Sequence, residues 1–225
     1  MSFSLYIHIP YCLSKCPYCD FNAYAAKDWP EERYIEALCA EFRSYVKIAP
    51  WKDERLETIY FGGGTPSLFQ PASLARFLTS ASAQCAFASA LDISLEADPA
   101  SVSLDLLQGY RDIGIRRLSF GIQSFEPATL KTLGRLHTGE EAQRAIELAR
   151  AAGFSNLNID LIFGVPGQTV AGLGCDLERV FALRPEHISI YGLTYEENTP
   201  FYQMKEKGVL QPIDEDTEVA MYTQI

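Results

Sequence analysis

No hydrophobic run in this 225-residue chain approaches the ~20 residues that a membrane-spanning helix needs. Positive charge is scarce. Lysine and arginine total 19 against 29 aspartates and glutamates, leaving a net charge of −10. So acidic a chain is poorly suited to the phosphate backbone, and nucleic acid is not an expected partner. The opening residues, Met1-Ser-Phe-Ser-Leu5, lack the charged and long apolar regions of a secretory signal. Six cysteines in a chain of this length are too few for the dense disulfide frameworks of small secreted domains. A reduced, cytoplasmic compartment is the simplest expectation. Hydrophobic residues make up 48% of the chain, enough to bury one large core.

Half of the cysteines fall in one run, Tyr11-Cys-Leu-Ser-Lys-Cys-Pro-Tyr-Cys-Asp20. Cys12, Cys16 and Cys19 thus have the spacing C-x3-C-x2-C just after a short apolar strand. Thiolates hold iron–sulfur clusters. Three of them on a four-iron cubane leave one iron open to a small molecule. The same spacing also admits zinc, which needs a fourth ligand to close a tetrahedron. His8, four residues before Cys12, is the candidate. Cys39 sits in a helical pattern between Leu38 and Phe42 and reads as a small buried apolar residue. Cys85 and Cys175 have no motif around them.

Short strand-like runs alternate with stretches of helical period. The strand candidates are 5–9, 58–61, 92–96, 117–122, 156–163 and 187–193, each ending near Gly, Pro or Ser. Helix candidates lie between them at 31–46, 71–83, 103–113, 139–152 and 170–183. Ser103 and Thr138 stand where helix N-caps stand. Regular alternation implies an α/β fold with a parallel sheet. Six strands with five crossovers fit a (β/α)6 partial barrel, whose functional groups collect at the C-terminal strand ends. Residues 214–225 read as the opening of another helix with no stop signal. The expected division is a barrel over residues 1–212 and, over 213–225, the start of a helix leading to a domain outside this chain.

Polar residues punctuate the strand ends. Gly62, Gly63, Gly64, Thr65 and Pro66 follow the second strand, where missing side chains permit close backbone approach. Glu96 closes the third strand, Gln123 the fourth, and Asp160 interrupts the apolar fifth. A carboxylate in that setting is costly unless paired or hydrogen-bonded. A structural salt bridge explains Asp160 as well as a ligand does.

Taken in order, the runs Tyr6-Ile-His-Ile-Pro10, the cysteine segment with Tyr18 before Cys19, Phe61-Gly-Gly-Gly-Thr-Pro66, Leu95-Glu-Ala-Asp-Pro99, Ser119-Phe-Gly-Ile-Gln-Ser-Phe125 and Asp160-Leu-Ile-Phe-Gly-Val-Pro-Gly-Gln168 resemble the radical S-adenosylmethionine (SAM) superfamily. The branch they resemble holds the oxygen-independent coproporphyrinogen III oxidases and the HemW-type haem chaperones. The resemblance implies a [4Fe-4S] cluster on Cys12, Cys16 and Cys19, with SAM beside it. It also implies roles for single residues. Gly63, Gly64 and Thr65 would receive the methionine part, and Arg135 its carboxylate. Glu96, Gln123 and Asp160 would hold the ribose and polar groups. Tyr18 would lie against the adenine, Thr194 would touch SAM, and Tyr6 would line the cluster end.

Two departures from the oxidase pattern direct the expected function. The oxidases carry a further cysteine two residues after the third ligand, where this chain has Phe21. They also carry a segment before the first strand, which here starts almost at Met1. Both features resemble the haem chaperones. Haem would then be cargo, haem-accepting proteins the partners, and an electron donor would serve the cluster. The alternative is an oxidase whose reduced cluster cleaves SAM to a radical that takes hydrogen from propionate side chains. A zinc-stabilised binding module is the third reading.

Overall fold

The computed structural model describes residues 2–225. Its main sheet contains β1 (Ser2–Ile9), β4 (Arg55–Gly63), β5 (Ala86–Ala97), β6 (Arg117–Gln123), β7 (Asn156–Phe163) and β8 (His187–Gly192), adjacent in that order. Every pairing is parallel. A two-stranded ribbon, β2 (Tyr11–Cys12) with β3 (Tyr24–Ala25), lies outside it. The crossovers carry α1 (Glu31–Tyr45), α2 (Pro71–Ser82), α3 (Leu104–Asp112), α4 (Pro127–Thr132), α5 (Gly139–Ala151) and α6 (Val170–Leu183). Two further helices, α7 (Pro200–Glu206) and α8 (Glu215–Gln224), follow β8. Strands stay in chain order and β1 does not pair with β8, so the sheet is an open, partial (β/α)6 barrel.

Local chemistry sets the helix starts. Ser103 caps α3 by accepting the Leu106 N–H, and Thr138 and Glu141 form a reciprocal capping box on α5. The short helices α4 and α7 were not expected from the apolar pattern. With six and seven residues, they have under two turns and leave no helical period to read. β5 starts at Ala86, ahead of the expected Asp92, because its first residues pair with Arg55 and Leu56 at the entry of β4.

Alternation along the strands separates two environments. Ile7, Ile9, Ile59, Phe61, Leu95 and Phe120 point outward and are buried under the helices. Each such burial contributes about 1.5–3 kcal/mol. The inward positions are polar: Tyr60, Ser94, Glu96, Ser119, Asn158, Asp160 and Ser189. Asp160 therefore does not interrupt an apolar strand, as the sequence suggested. The physical reason is that helices cover only the outer face, while the inner face borders a cavity. On the outside, Met221 of α8 is buried in the main core, and Tyr222 meets Phe163 at a ring separation of 6.3 Å. Among the described residues, no helix is long and apolar enough to cross a membrane.

Candidate functional site

The cysteine loop is held at both ends. Where β1 stops, the Tyr24 N–H donates to the Pro10 carbonyl (2.7 Å) and the Ala26 N–H to that of Cys12 (2.9 Å). Within the loop, the Cys19 N–H donates to the Cys16 carbonyl (3.1 Å), and Lys15 Nζ to that of Phe21 (2.9 Å). Pro17 is pinned from the far side: its carbonyl accepts the Phe201 N–H at 2.9 Å, and Gly134 passes close to its ring. Cys12, Cys16 and Cys19 are unbridged, half-buried, and face one cavity. Burial pushes the Cys12 and Cys19 thiols up, so metal binding here would displace protons.

The glycine run at the end of β4 lies against this loop. The Gly64 N–H donates to the Ile9 carbonyl (2.7 Å) and the Thr65 N–H to that of Tyr11 (2.8 Å). Gly63 has φ +116°, a conformation that side-chain-bearing residues rarely adopt, and a Cβ there would meet the His8 ring at 2.7 Å. A Cβ on Gly64 would stand 2.7 Å from the Tyr11 carbonyl oxygen and 3.0 Å from Cys12 Sγ. Side chains are thus excluded where the loop backbone borders the cavity.

Glu96 reaches the same backbone. Its Oε2 accepts the Gly63 N–H (3.0 Å) and its Oε1 the Tyr60 hydroxyl (2.9 Å). Burial raises its carboxyl above the ordinary range. Asp160 accepts from Ser119 Oγ (2.9 Å) and Asn158 Nδ2 (2.7 Å). The Asn158 carbonyl in turn meets His187 and Ser189. Gln123 ends β6 with φ +70°. The next residues are fixed by buried Asp176 of α6, which accepts the Ser124 hydroxyl (2.6 Å) and the Phe125 N–H (2.7 Å).

Arg135, arriving from the segment after α4, donates to Asp98 and to the Gly121 carbonyl (2.8 Å), and approaches Cys16 Sγ at 3.4 Å. Behind this pair, burial and the Arg135 charge lower the pKa of His137. Its Nε2 lies 3.0 Å from the Ile122 carbonyl. Its Nδ1 faces Asp98 at 4.0 Å without a hydrogen bond.

One cavity of about 570 Å3 runs from the cysteine loop into the barrel. It brings together Cys12, Cys16, Cys19, Tyr18, Gly63, Gly64, Thr65, Glu96, Gln123, Arg135, Asp160 and Thr194. Tyr18 is packed beside Leu133, Ile162 and Val165, and burial raises its hydroxyl pKa. Tyr6 is not on the cavity wall. It is 56% exposed, its hydroxyl lies 3.2 Å from His8 Nδ1, and its ring stacks on Tyr60. The residues that the sequence reading missed are Asp98, Asn158 and Arg117. Asp98 stood within the quoted Leu95–Pro99 run. Asn158 and Arg117 had only strand alternation to mark them.

The donor set fits a cluster with one open iron. Three thiols share the cavity, and His8 does not complete them, because its Nε2 lies 2.8 Å from the Asn22 carbonyl. Among the described residues, no three His, Cys, Asp or Glu side chains gather around a point suited to one metal ion. Beside the thiols, a backbone cradle that a Cβ would fill, two carboxylates and a guanidinium suit an amino acid joined to a nucleoside.

Comparison with known proteins agrees with this chemistry. Residues 6–174 match the Radical SAM superfamily. The haem chaperone HemW of Haemophilus influenzae is 44% identical over 203 residues, covering 88% of this chain and 52% of that protein. The HemW of Escherichia coli is 41% identical over 199 residues, with the same coverages of 88% and 52%. The chain thus spans about half the length of these curated relatives. In structure it is similar to coproporphyrinogen III oxidase (HemN) of Escherichia coli, a radical SAM enzyme. The TM-score is 0.86 at 28% identity, covering 99% of this chain and 51% of that one. The chain belongs to the radical SAM superfamily, whose cofactors are a [4Fe-4S] cluster and SAM.

Proposed function

We propose that this barrel is the cofactor-binding part of a haem chaperone, which binds haem and passes it to haem-accepting proteins. When bound, the cluster supplies an open iron that can coordinate SAM and deliver an electron to it. Cys12, Cys16 and Cys19 hold the cluster. Gly63, Gly64 and Thr65 offer backbone to the methionine end, and Arg135 offers its guanidinium to the carboxylate. Glu96, Gln123 and Asp160 hold polar groups of the nucleoside, with Tyr18 and Thr194 along the wall beside the adenine. Tyr6 acts from outside the wall, through its contacts with His8 and Tyr60.

The observation that carries this reading is Phe21. It replaces the further cysteine of the oxidase pattern, is 61% exposed, and lines the cavity rather than packing into the core. No thiol is available there to act beside the cluster. The HemW relatives are named as haem chaperones, which supports the same reading. The other partners follow: an electron donor for the cluster, no nucleic acid on so acidic a surface, and a reducing cytoplasm that keeps six cysteines unbridged.

The test is an anaerobic assay of the full-length protein with reconstituted cluster, SAM and a low-potential reductant. Expected are haem binding, haem transfer to an acceptor, and no conversion of coproporphyrinogen III. Sustained decarboxylation of coproporphyrinogen III would establish the oxidase instead. Iron and sulfide analysis of the parent and of the Cys12→Ala, Cys16→Ala, Cys19→Ala triple variant decides the metal. Zinc in place of iron, or a full cluster in the variant, would defeat the reading.

A further inference from the structure

The cavity extends well past the SAM-type groups. Arg117, the first residue of β6, lines it together with Gln123, the last. The seven residues of this strand span about 20 Å at roughly 3.3 Å per residue. The Arg117 backbone therefore enters the barrel at the end of β6 opposite to Gln123, and its side chain reaches the cavity on the side of Tyr60.

Its neighbours on the inner wall are already partnered. Both oxygens of Asp160 accept from Ser119 and Asn158. Both oxygens of Glu96 accept from Tyr60 and Gly63. Neither carboxylate closes an ion pair with Arg117. Among the described residues, the half-buried Arg117 guanidinium lines the cavity with no protein hydrogen bond and no salt bridge. A cation that faces a cavity without a protein partner is open to an anionic ligand. A guanidinium offers five donors in a planar fork matched to a carboxylate.

We infer that Arg117 anchors a second ligand in the barrel interior by binding its carboxylate. Resting on the chaperone reading, that ligand is haem, held by a propionate. The carboxylate of SAM is engaged by Arg135, so the two anions do not compete for one cation.

The test titrates full-length, cluster-loaded protein with hemin, with hemin dimethyl ester, and with coproporphyrin III, a metal-free tetracarboxylate. Arg117→Gln is expected to weaken hemin and coproporphyrin III about ten-fold or more, and to leave the ester unchanged. Arg117→Lys, which keeps the charge, should recover part of the loss. Unchanged cluster iron and SAM binding in both variants would show that the barrel is intact. Equal hemin affinity in parent and Arg117→Gln would overturn the inference while leaving the chaperone reading in place. Equal weakening of the ester would also overturn it, by making the effect structural. Arg117-dependent binding of coproporphyrin III without hemin binding would support the carboxylate site and overturn the chaperone reading. A parent protein that binds neither porphyrin would overturn both.

Discussion

Arg135 and Asp98 form an ion pair at the mouth of the barrel, and the same guanidinium comes within 3.4 Å of Cys16 Sγ. One cation thus joins the β5 side of the site to the cluster loop. Its side chain is only 11% exposed, so the charge acts where water screens it little. Asp98 is in turn fixed by the Ala100 N–H at 2.9 Å. The orientation that SAM would meet is built before any ligand arrives.

Asp98→Asn should therefore weaken SAM binding by about ten-fold or more, the usual scale for losing a hydrogen bond to a charged group. Cluster iron should stay at the parent value. Equilibrium dialysis with labelled SAM on anaerobically reconstituted protein measures this. Parent-like affinity would mean that the Gly121 carbonyl alone positions Arg135.

Gly64→Ala should damage the cluster more than the fold. The added Cβ would press on Cys12 Sγ at 3.0 Å and on the Tyr11 carbonyl at 2.7 Å. Crowding of this kind costs about 1–3 kcal/mol. Iron and sulfide per chain should fall well below the parent, while far-ultraviolet circular dichroism is kept. A normal cluster content would show that the loop shifts freely.

Asp176→Ala should destabilise the fold by about 2–4 kcal/mol, since it strands the buried Ser124 hydroxyl and Phe125 N–H. Burial holds the Asp176 carboxyl above its ordinary 3.8. The folded state therefore binds this proton more tightly than the unfolded state does, and the associated stability is lost as pH rises from 3.8 through the raised folded value. The Asp176→Asn variant has no such proton. Thermal melts across this range should show its stability relative to the parent moving upward with pH. A relative stability that moved downward would mean that the hydrogen bonds, not burial, dominate Asp176.

Phe21→Cys should not create a coproporphyrinogen III oxidase. The substitution restores a thiol at the cavity edge but changes nothing else around it. The anaerobic turnover assay with SAM and a low-potential reductant should give no product above the parent. Multiple turnovers by this variant would show that a single residue separates chaperone from enzyme.

The alternation of strand and helix, the cysteine spacing and the glycine run were legible in the sequence because each depends on neighbours within a few residues. A strand shows its period over six residues, and a loop of three thiols is local by construction. Helices α4 and α7 were not legible, because elements this short are stabilised by what they pack against. The polar inner face was also hidden: alternation shows two faces but not which one borders a cavity. Only the curling of the open sheet brought Asp98 to Arg135 across 37 positions and left Arg117 without a protein hydrogen bond or salt bridge inside the barrel. Local sequence determined which groups were available. Tertiary packing decided their partners, because hydrogen bonding and desolvation depend on what lies across the barrel rather than along the chain.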